Sequence, residues 1–165
     1  MIIDYKPKYD EQVKNLLVEL QQYLVNLDKE HFNIITEEYK EAYFNKTIES
    51  VKNNSGKILL YEEDNEIMGL VVGIVNNEET LEYDFCAPKR GRITELIVSK
   101  KYRGKNIGKE LLHSMKKYLK SIGCKNIMIA VFGYNTNAIK FYEENGFHIR
   151  MLDMINDNKK FNETC

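Results

Sequence analysis

The residues best suited to chemistry lie in one unbroken segment, Val98-Ser99-Lys100-Lys101-Tyr102-Arg103-Gly104-Lys105-Asn106-Ile107-Gly108-Lys109. An apolar run ends there, a turn rich in glycine and basic residues follows, and an amphipathic run begins at once. A strand that passes through such a turn into a helix aims unpaired backbone N–H groups and the positive end of the helix at one point, which makes an anion site. Gly104 and Gly108 let backbone approach a phosphate closely. Asn106 is, after glycine, the residue best suited to a left-handed conformation. Lys100, Lys101, Arg103 and Lys105 add long-range attraction. The segment lacks the G-x-x-x-x-G-K-S/T string of a kinase-type P-loop. Its glycines also lack the spacing, and the place in the first strand–helix unit, of a dinucleotide fingerprint. For this segment alone, a solvated basic loop before an ordinary helix is the plainer alternative.

The elements that must hold this turn read from periodicity. Ile2 to Tyr5 suit a short strand that Pro7 ends. From Asp10 the pattern is helical, with Val13, Leu16, Leu17, Leu20, Leu24 and Leu27 on one face. A second helix is expected from Thr36, a candidate N-cap, to Lys52, with Tyr39, Ala42, Tyr43, Ile48 and Val51 as its apolar set. Lys57–Glu62 and Ile67–Val75 form a hairpin signal around Asp64-Asn65. The polar stretch from Asn76 to Gly91 carries Pro88 and Gly91, which are expected to break regular structure. Strands follow at Arg92–Ser99, Asn126–Phe132 and Phe147–Ile155. Between them lie a strongly amphipathic helix (Ile107, Leu111, Leu112, Met115, Leu119, Ile122) and a short one over Thr136–Asn145, closed by Gly146. No repeat or linker interrupts the order, so residues 1–165 are read as one domain with a mixed α/β sheet.

Bulk composition bounds the function. The chain has 165 residues and 43% hydrophobic content, enough for a sizeable core. Lys plus Arg (24) nearly balances Asp plus Glu (25), so the net charge of −1 offers no overall reason for nucleic-acid binding. Cys86, Cys124 and Cys165 are odd in number and show no C-x-x-C pattern, which points to reduced thiols rather than a disulfide scaffold or a zinc site. His31, His113 and His148 are scattered, and no metal site is expected. The longest apolar run, Gly69 to Val75, is far short of the ~18 residues of a membrane helix. The N-terminus does not read as a signal peptide, and a cytoplasmic location with no membrane partner is expected.

A second segment, Asn135-Thr136-Asn137-Ala138-Ile139-Lys140-Phe141-Tyr142-Glu143-Glu144-Asn145-Gly146-Phe147, reads structurally as a capped and glycine-terminated helix. The two segments together resemble the GNAT superfamily of N-acetyltransferases. The first matches that family's coenzyme A signature (Gln or Arg, x, x, Gly, x, Gly or Ala) over Arg103, Gly104, Lys105, Asn106, Ile107 and Gly108. The second is similar to its N-x-x-A helix that ends in G-F. One departure is that Asn106 stands where the family has a middle glycine, so a strained but intact turn is expected. The resemblance is specific from Arg92 to Arg150.

The resemblance implies an acyl-CoA N-acyltransferase fold: a central mixed, mostly antiparallel sheet, splayed between the fourth and fifth strands and flanked by helices. It implies acetyl-CoA as cosubstrate and an amine, on a small molecule or a peptide, as acceptor. Backbone N–H groups from Arg103 to Lys109 would hold the pyrophosphate. Leu96, Ile97 and Val98 would pair with the pantetheine arm, and Asn135 would contact the coenzyme. A backbone N–H near Ile97 would receive the oxyanion, and Tyr142 would protonate the departing thiolate. Glu95, set between Ile93 and Leu96 near the expected acetyl position, is the candidate base, since partial desolvation would raise its pKa. A solvent-facing or charge-binding Glu95 is the alternative. Glu78, Glu79, Glu82 and Asp84 form an acidic run on the expected acceptor side, either a lure for a cationic amine or a solvated loop. A coenzyme-binding sensor of the same fold without turnover is the competing function. The oligomeric state stays open, a homodimer being one option.

Overall fold

The computed structural model describes residues 1–83 and 86–156. It divides into two compact units, residues 1–130 and 131–165. The first unit is built on a five-stranded sheet in the order β1-β2-β3-β6-β7. These strands are β1 (Ile2–Asp4), β2 (Lys57–Glu63), β3 (Glu66–Asn77), β6 (Arg90–Val98) and β7 (Asn126–Met128). The first three pairings are antiparallel and β6–β7 is parallel, so the sheet is mixed and mostly antiparallel, as expected. Asp64 and Asn65 turn the β2–β3 hairpin with φ of 52° and 63°, the positive pair a tight hairpin needs.

Helices α1 (Asp10–Leu27) and α2 (Tyr39–Asn53) precede the hairpin, and α3 (Ile107–Ser121) follows β6. The sequence stripe of α1 is the buried one: Val13, Leu16 and Leu17 join Phe44, Leu60, Leu70, Val72 and Ile97 in one apolar cluster. Helix α3 buries Ile107, Leu111, Leu112, Met115 and Leu119, each contributing roughly 1.5–3 kcal/mol of burial. It lies close because glycines of the sheet face it: a Cβ on Gly91 would meet Leu119 Cδ1 at 2.9 Å, one on Gly73 would meet Met115 Cγ at 2.8 Å, and one on Gly69 would meet Leu111 Cδ1 at 3.2 Å.

Five sequence expectations change. Helix α2 starts at Tyr39, not Thr36, whose carbonyl instead accepts from the Tyr39 N–H at 3.2 Å in a preceding turn. The buried residues of α2 are Phe44 and Thr47, with Tyr43, Ile48 and Val51 packed beside the cluster; Ala42 is exposed. The polar stretch is not wholly irregular. Thr80–Leu81 (β4) pairs with Cys86–Ala87 (β5), and Gly91 lies inside β6 because its lack of a side chain admits Leu119.

The remaining two changes concern strands. Strand β7 stops at Met128, where its ladder with β6 ends. Residues 147–156 form no strand, and Ile149, Met151, Leu152, Met154 and Ile155 are exposed. Alternating apolar residues prepare a strand face, but a strand exists only where a neighbouring backbone completes the ladder. The described part of the second unit therefore has one regular element, α4 (Thr136–Glu144). Among the described residues, no helix is long and apolar enough to cross a membrane.

Candidate active site

The turn expected to bind an anion is built as its residues dictate. After Val98 a single 3-10 turn (Lys100–Tyr102) leads to Gly104 at φ 80° and Asn106 at φ 64°, ψ 2°. Both sit in the left-handed region, so Asn106 does accept the conformation that glycine usually supplies. Asn106 stands at the N-cap of α3 but its side chain makes no capping bond, which leaves the first-turn amides of Ile107, Gly108 and Lys109 without an intrahelical partner. The cations around the turn are only partly free. Lys101 pairs with Glu66, and both Lys101 and Lys105 lie over the Tyr102 ring, at 4.7 and 5.4 Å. The Arg103 guanidinium donates from Nε to the Val98 carbonyl at 3.2 Å and covers Tyr23 at 5.7 Å.

The strand leading into the turn has an open edge. Strand β6 pairs with β7 only over Arg90, Gly91 and Arg92, so among the described residues that edge carries no partner strand from Ile93 to Val98. Which groups face it follows from register. The Ser99 N–H donates to the Met68 carbonyl at 2.9 Å, and Val98, Ile97 and Leu96 lie opposite Gly69, Leu70 and Val71. Alternation in an antiparallel ladder then turns the main chain of Ile97 toward Leu70. The main chains of Leu96 and Val98 face the open edge, where the Val98 carbonyl takes the Arg103 bond.

Upstream, a register shift between Val72 and Gly73 leaves Thr94 as the extra residue of a β-bulge. Next to it, Glu95 is buried at 6% exposure. Tyr43 donates from its hydroxyl to Glu95 Oε1 at 2.7 Å, and the Thr94 hydroxyl bonds Oε2. Burial pushes the Glu95 carboxyl above its ordinary pKa, although both hydroxyls, Lys46 and Arg92 pull it back down. The solvent-facing alternative is thereby removed. Glu95 lines an open cavity of about 320 Å3 together with Tyr43, Lys46, Ser50, Asn76 and Arg92. Burial near Glu95 also pushes the Tyr39 phenol up to about 12, and Tyr39 stacks on Tyr43 with ring centres 5.0 Å apart.

In the second unit, Asn135 caps α4, its side chain accepting from the Ala138 N–H at 3.2 Å. Tyr142 packs edge-on against Phe141 and Phe147, at 5.2 and 5.6 Å. Burial pushes its phenol up to about 12, so it keeps its proton at neutral pH. Gly146 at φ 85° turns the chain back so that the Phe147 N–H reaches the Tyr142 carbonyl at 3.0 Å.

Reading the sequence alone missed Tyr43, Thr94, Lys46 and Arg92. Tyr43 was legible only as an apolar face residue of α2, and the contact that gives it a role spans a separation of 52 residues. The acidic run is partly neutralised: Glu78 pairs with Lys89 at 3.2 Å and Glu79 lies 4.0 Å from Lys125. Asp84 and Cys165 lie outside the described residues. Cys86 and Cys124 are free thiols, and among the described residues no three His, Cys, Asp or Glu side chains gather as a metal site requires.

Residues 20–147 match the family described as Acetyltransferase (GNAT) family. A stretch of 62 residues is 32% identical to the spermine/spermidine N(1)-acetyltransferase of Bacillus subtilis (strain 168), covering 36% of this chain and 41% of that protein. The chain spans less than half the length of each of the curated relatives it matches. Among solved structures, a tetramutant of the BH1408 protein from Bacillus halodurans superposes with a TM-score of 0.80 at 20% identity, covering 94% of this chain and 98% of that one. The aminoglycoside N-acetyltransferase AAC(6')-Iy in complex with CoA superposes with a TM-score of 0.68 at 12% identity, covering 96% and 98%. At these identities the two structures speak for the fold.

Proposed function

Because the chain belongs to the acetyltransferase (GNAT) family, we propose that it is an N-acetyltransferase that moves the acetyl group of acetyl-CoA onto a primary amine of a small molecule or peptide. One observation carries the reading: Gly104 and Asn106 hold left-handed turns immediately before the uncapped first turn of α3. That arrangement suits a diphosphate, with Arg103, Gly104, Lys105, Asn106, Ile107, Gly108 and Lys109 supplying it. The open-edge main chains of Leu96 and Val98 suit an extended arm that adds to β6 like a further strand. Asn135 is assigned to the coenzyme as the family resemblance implies. Acetyl-CoA, when bound, supplies the thioester that is cleaved.

The chain's own groups then divide the work. Glu95 takes a proton from the incoming ammonium, directly or through a water. Its raised pKa brings it nearer the range a general base needs. The Leu96 N–H, on the open edge, is assigned to the developing oxyanion. The Ile97 N–H is engaged with β3, so it is the less suited of the two. As the C–N bond forms and the C–S bond breaks, Tyr142 gives its proton to the thiolate, for which a phenol that stays protonated at neutral pH is suited.

The whole chain is read as one transferase domain, cytoplasmic, with the free thiols Cys86 and Cys124 in keeping with a reducing compartment. The fold would serve a coenzyme-binding sensor equally well, and the hydrogen-bonded, buried Glu95 favours the enzyme. Thiol release from acetyl-CoA against a panel of amines tests this. Release above the amine-free rate is expected, whereas tight coenzyme binding with no release for any amine would leave the sensor.

A further inference from the structure

The cavity beside Glu95 is lined by charges of the wrong sign for a simple cationic acceptor. Lys46, one turn beyond Tyr43 on α2, and Arg92, at the last β7-paired position of β6, come from different elements and line the same cavity. Both act on the Glu95 carboxyl, yet among the described residues neither forms an ion pair or donates a hydrogen bond. Among the described residues that line the cavity Glu95 is the only carboxylate, and its two oxygens already accept from Tyr43 and Thr94. Glu78 and Glu79 are not among the lining residues and lie beside Lys89 and Lys125 instead. The remaining polar lining, Ser50, Thr47 and Asn76, is uncharged.

We propose that the acceptor amine carries an anionic group, a carboxylate or a phosphate, which Lys46 and Arg92 bind while Glu95 faces the amine. The proposal rests on the N-acetyltransferase reading and narrows its substrate. A guanidinium presents a planar fork that matches either anion, and an ammonium adds a mobile point charge. A polyamine, by contrast, would bring its second positive charge against two like charges. The cavity, about 320 Å3 and open to solvent, is at the small end of ligand sites.

Matched amines that differ only in the anion test this: tyrosine against tyramine, lysine against cadaverine, phosphoethanolamine against ethanolamine, with spermine alongside. Thiol release and titration calorimetry are run on each with the full chain and coenzyme. The anionic member of at least one pair should be preferred about tenfold or more, the size of one charge-assisted hydrogen bond. The first two pairs report a carboxylate and the third a phosphate. Arg92→Gln and Lys46→Gln should each erase most of that preference while leaving the Kd for acetyl-CoA unchanged. Spermine or the amines without the anion turning over at least as well would overturn the proposal and leave the transferase reading standing. An anion preference untouched by both substitutions would overturn it too. If no amine releases thiol, the transferase reading falls, and the calorimetric comparison still decides whether the cavity takes the anion.

Discussion

Glu95 shows how one side chain's surroundings set its chemistry. Two hydroxyls hold it in place while burial favours its neutral form, and the balance leaves its pKa raised. A base must be ionised to act, so kcat/KM should climb with pH through that raised value. Glu95→Gln keeps an oxygen that accepts from Tyr43, while its amide N–H can only donate to the Thr94 hydroxyl, and it cannot take a proton; kcat should fall about 10²-fold or more, and the climb should vanish from the pH–rate profile. The same shift has a consequence for stability. The folded carboxyl holds its proton more tightly than the unfolded one does. Its contribution is therefore full below the ordinary carboxylate pKa and is lost as pH rises through the folded value. Melting curves across that window should show Glu95→Gln gaining on the wild type as pH increases. Tyr142→Phe separates chemistry from packing, because the ring contacts with Phe141 and Phe147 remain. Its kcat should drop roughly 10²-fold while the Kd for acetyl-CoA stays within about twofold, and an unchanged kcat would take Tyr142 out of the acid role.

At the scale of elements, the turn into α3 depends on backbone shape more than on charge. Lys101 is spent on Glu66 and Arg103 on the Val98 carbonyl, so the anion site rests on amides presented by two left-handed residues. Asn106→Gly should preserve acetyl-CoA affinity to within about twofold, since glycine holds φ 64° without strain. Asn106→Val places a β-branched residue in that region at a cost on the order of 1–3 kcal/mol, and affinity measured by titration should fall at least tenfold. Equal affinities for the two variants would show that the left-handed turn is not what holds the coenzyme. The strand before the turn makes a similar point. A one-residue change in the register of β6 would exchange Leu96 and Val98 for Ile97 at the open edge, so the bulge at Thr94 and the pairing with β3 decide which amides are available.

At the scale of the molecule, the question is whether the chain behaves as one domain. Residues 1–130 contain the sheet, its three helices and the Glu95 cavity; residues 131–165 contribute α4 with Asn135 and Tyr142. If all of them serve one transferase site, acetyl-CoA should stabilise the whole chain. At a hundred times its Kd the gain is about 2.7 kcal/mol, read as a rise in a single melting transition. A second transition that the coenzyme leaves unmoved would mean that part of the chain unfolds on its own.

Local pattern determined what local physics can determine. The stripes of α1 and α3, the Asp64-Asn65 hairpin, the left-handed Asn106 and the Asn135 cap were all legible, because each is a contest among neighbours a few residues apart. Partners distant in sequence decided the rest. The strand expected over Phe147–Ile155 found no ladder, and β7 ended with its pairing to β6. Tyr43 packs beside the core cluster and carries its hydroxyl to Glu95, and Lys46 and Arg92 came to line one cavity. Periodicity records which way a side chain faces along its own element. Which backbone completes a ladder, or which charge waits across a cavity, is set only when separate elements pack.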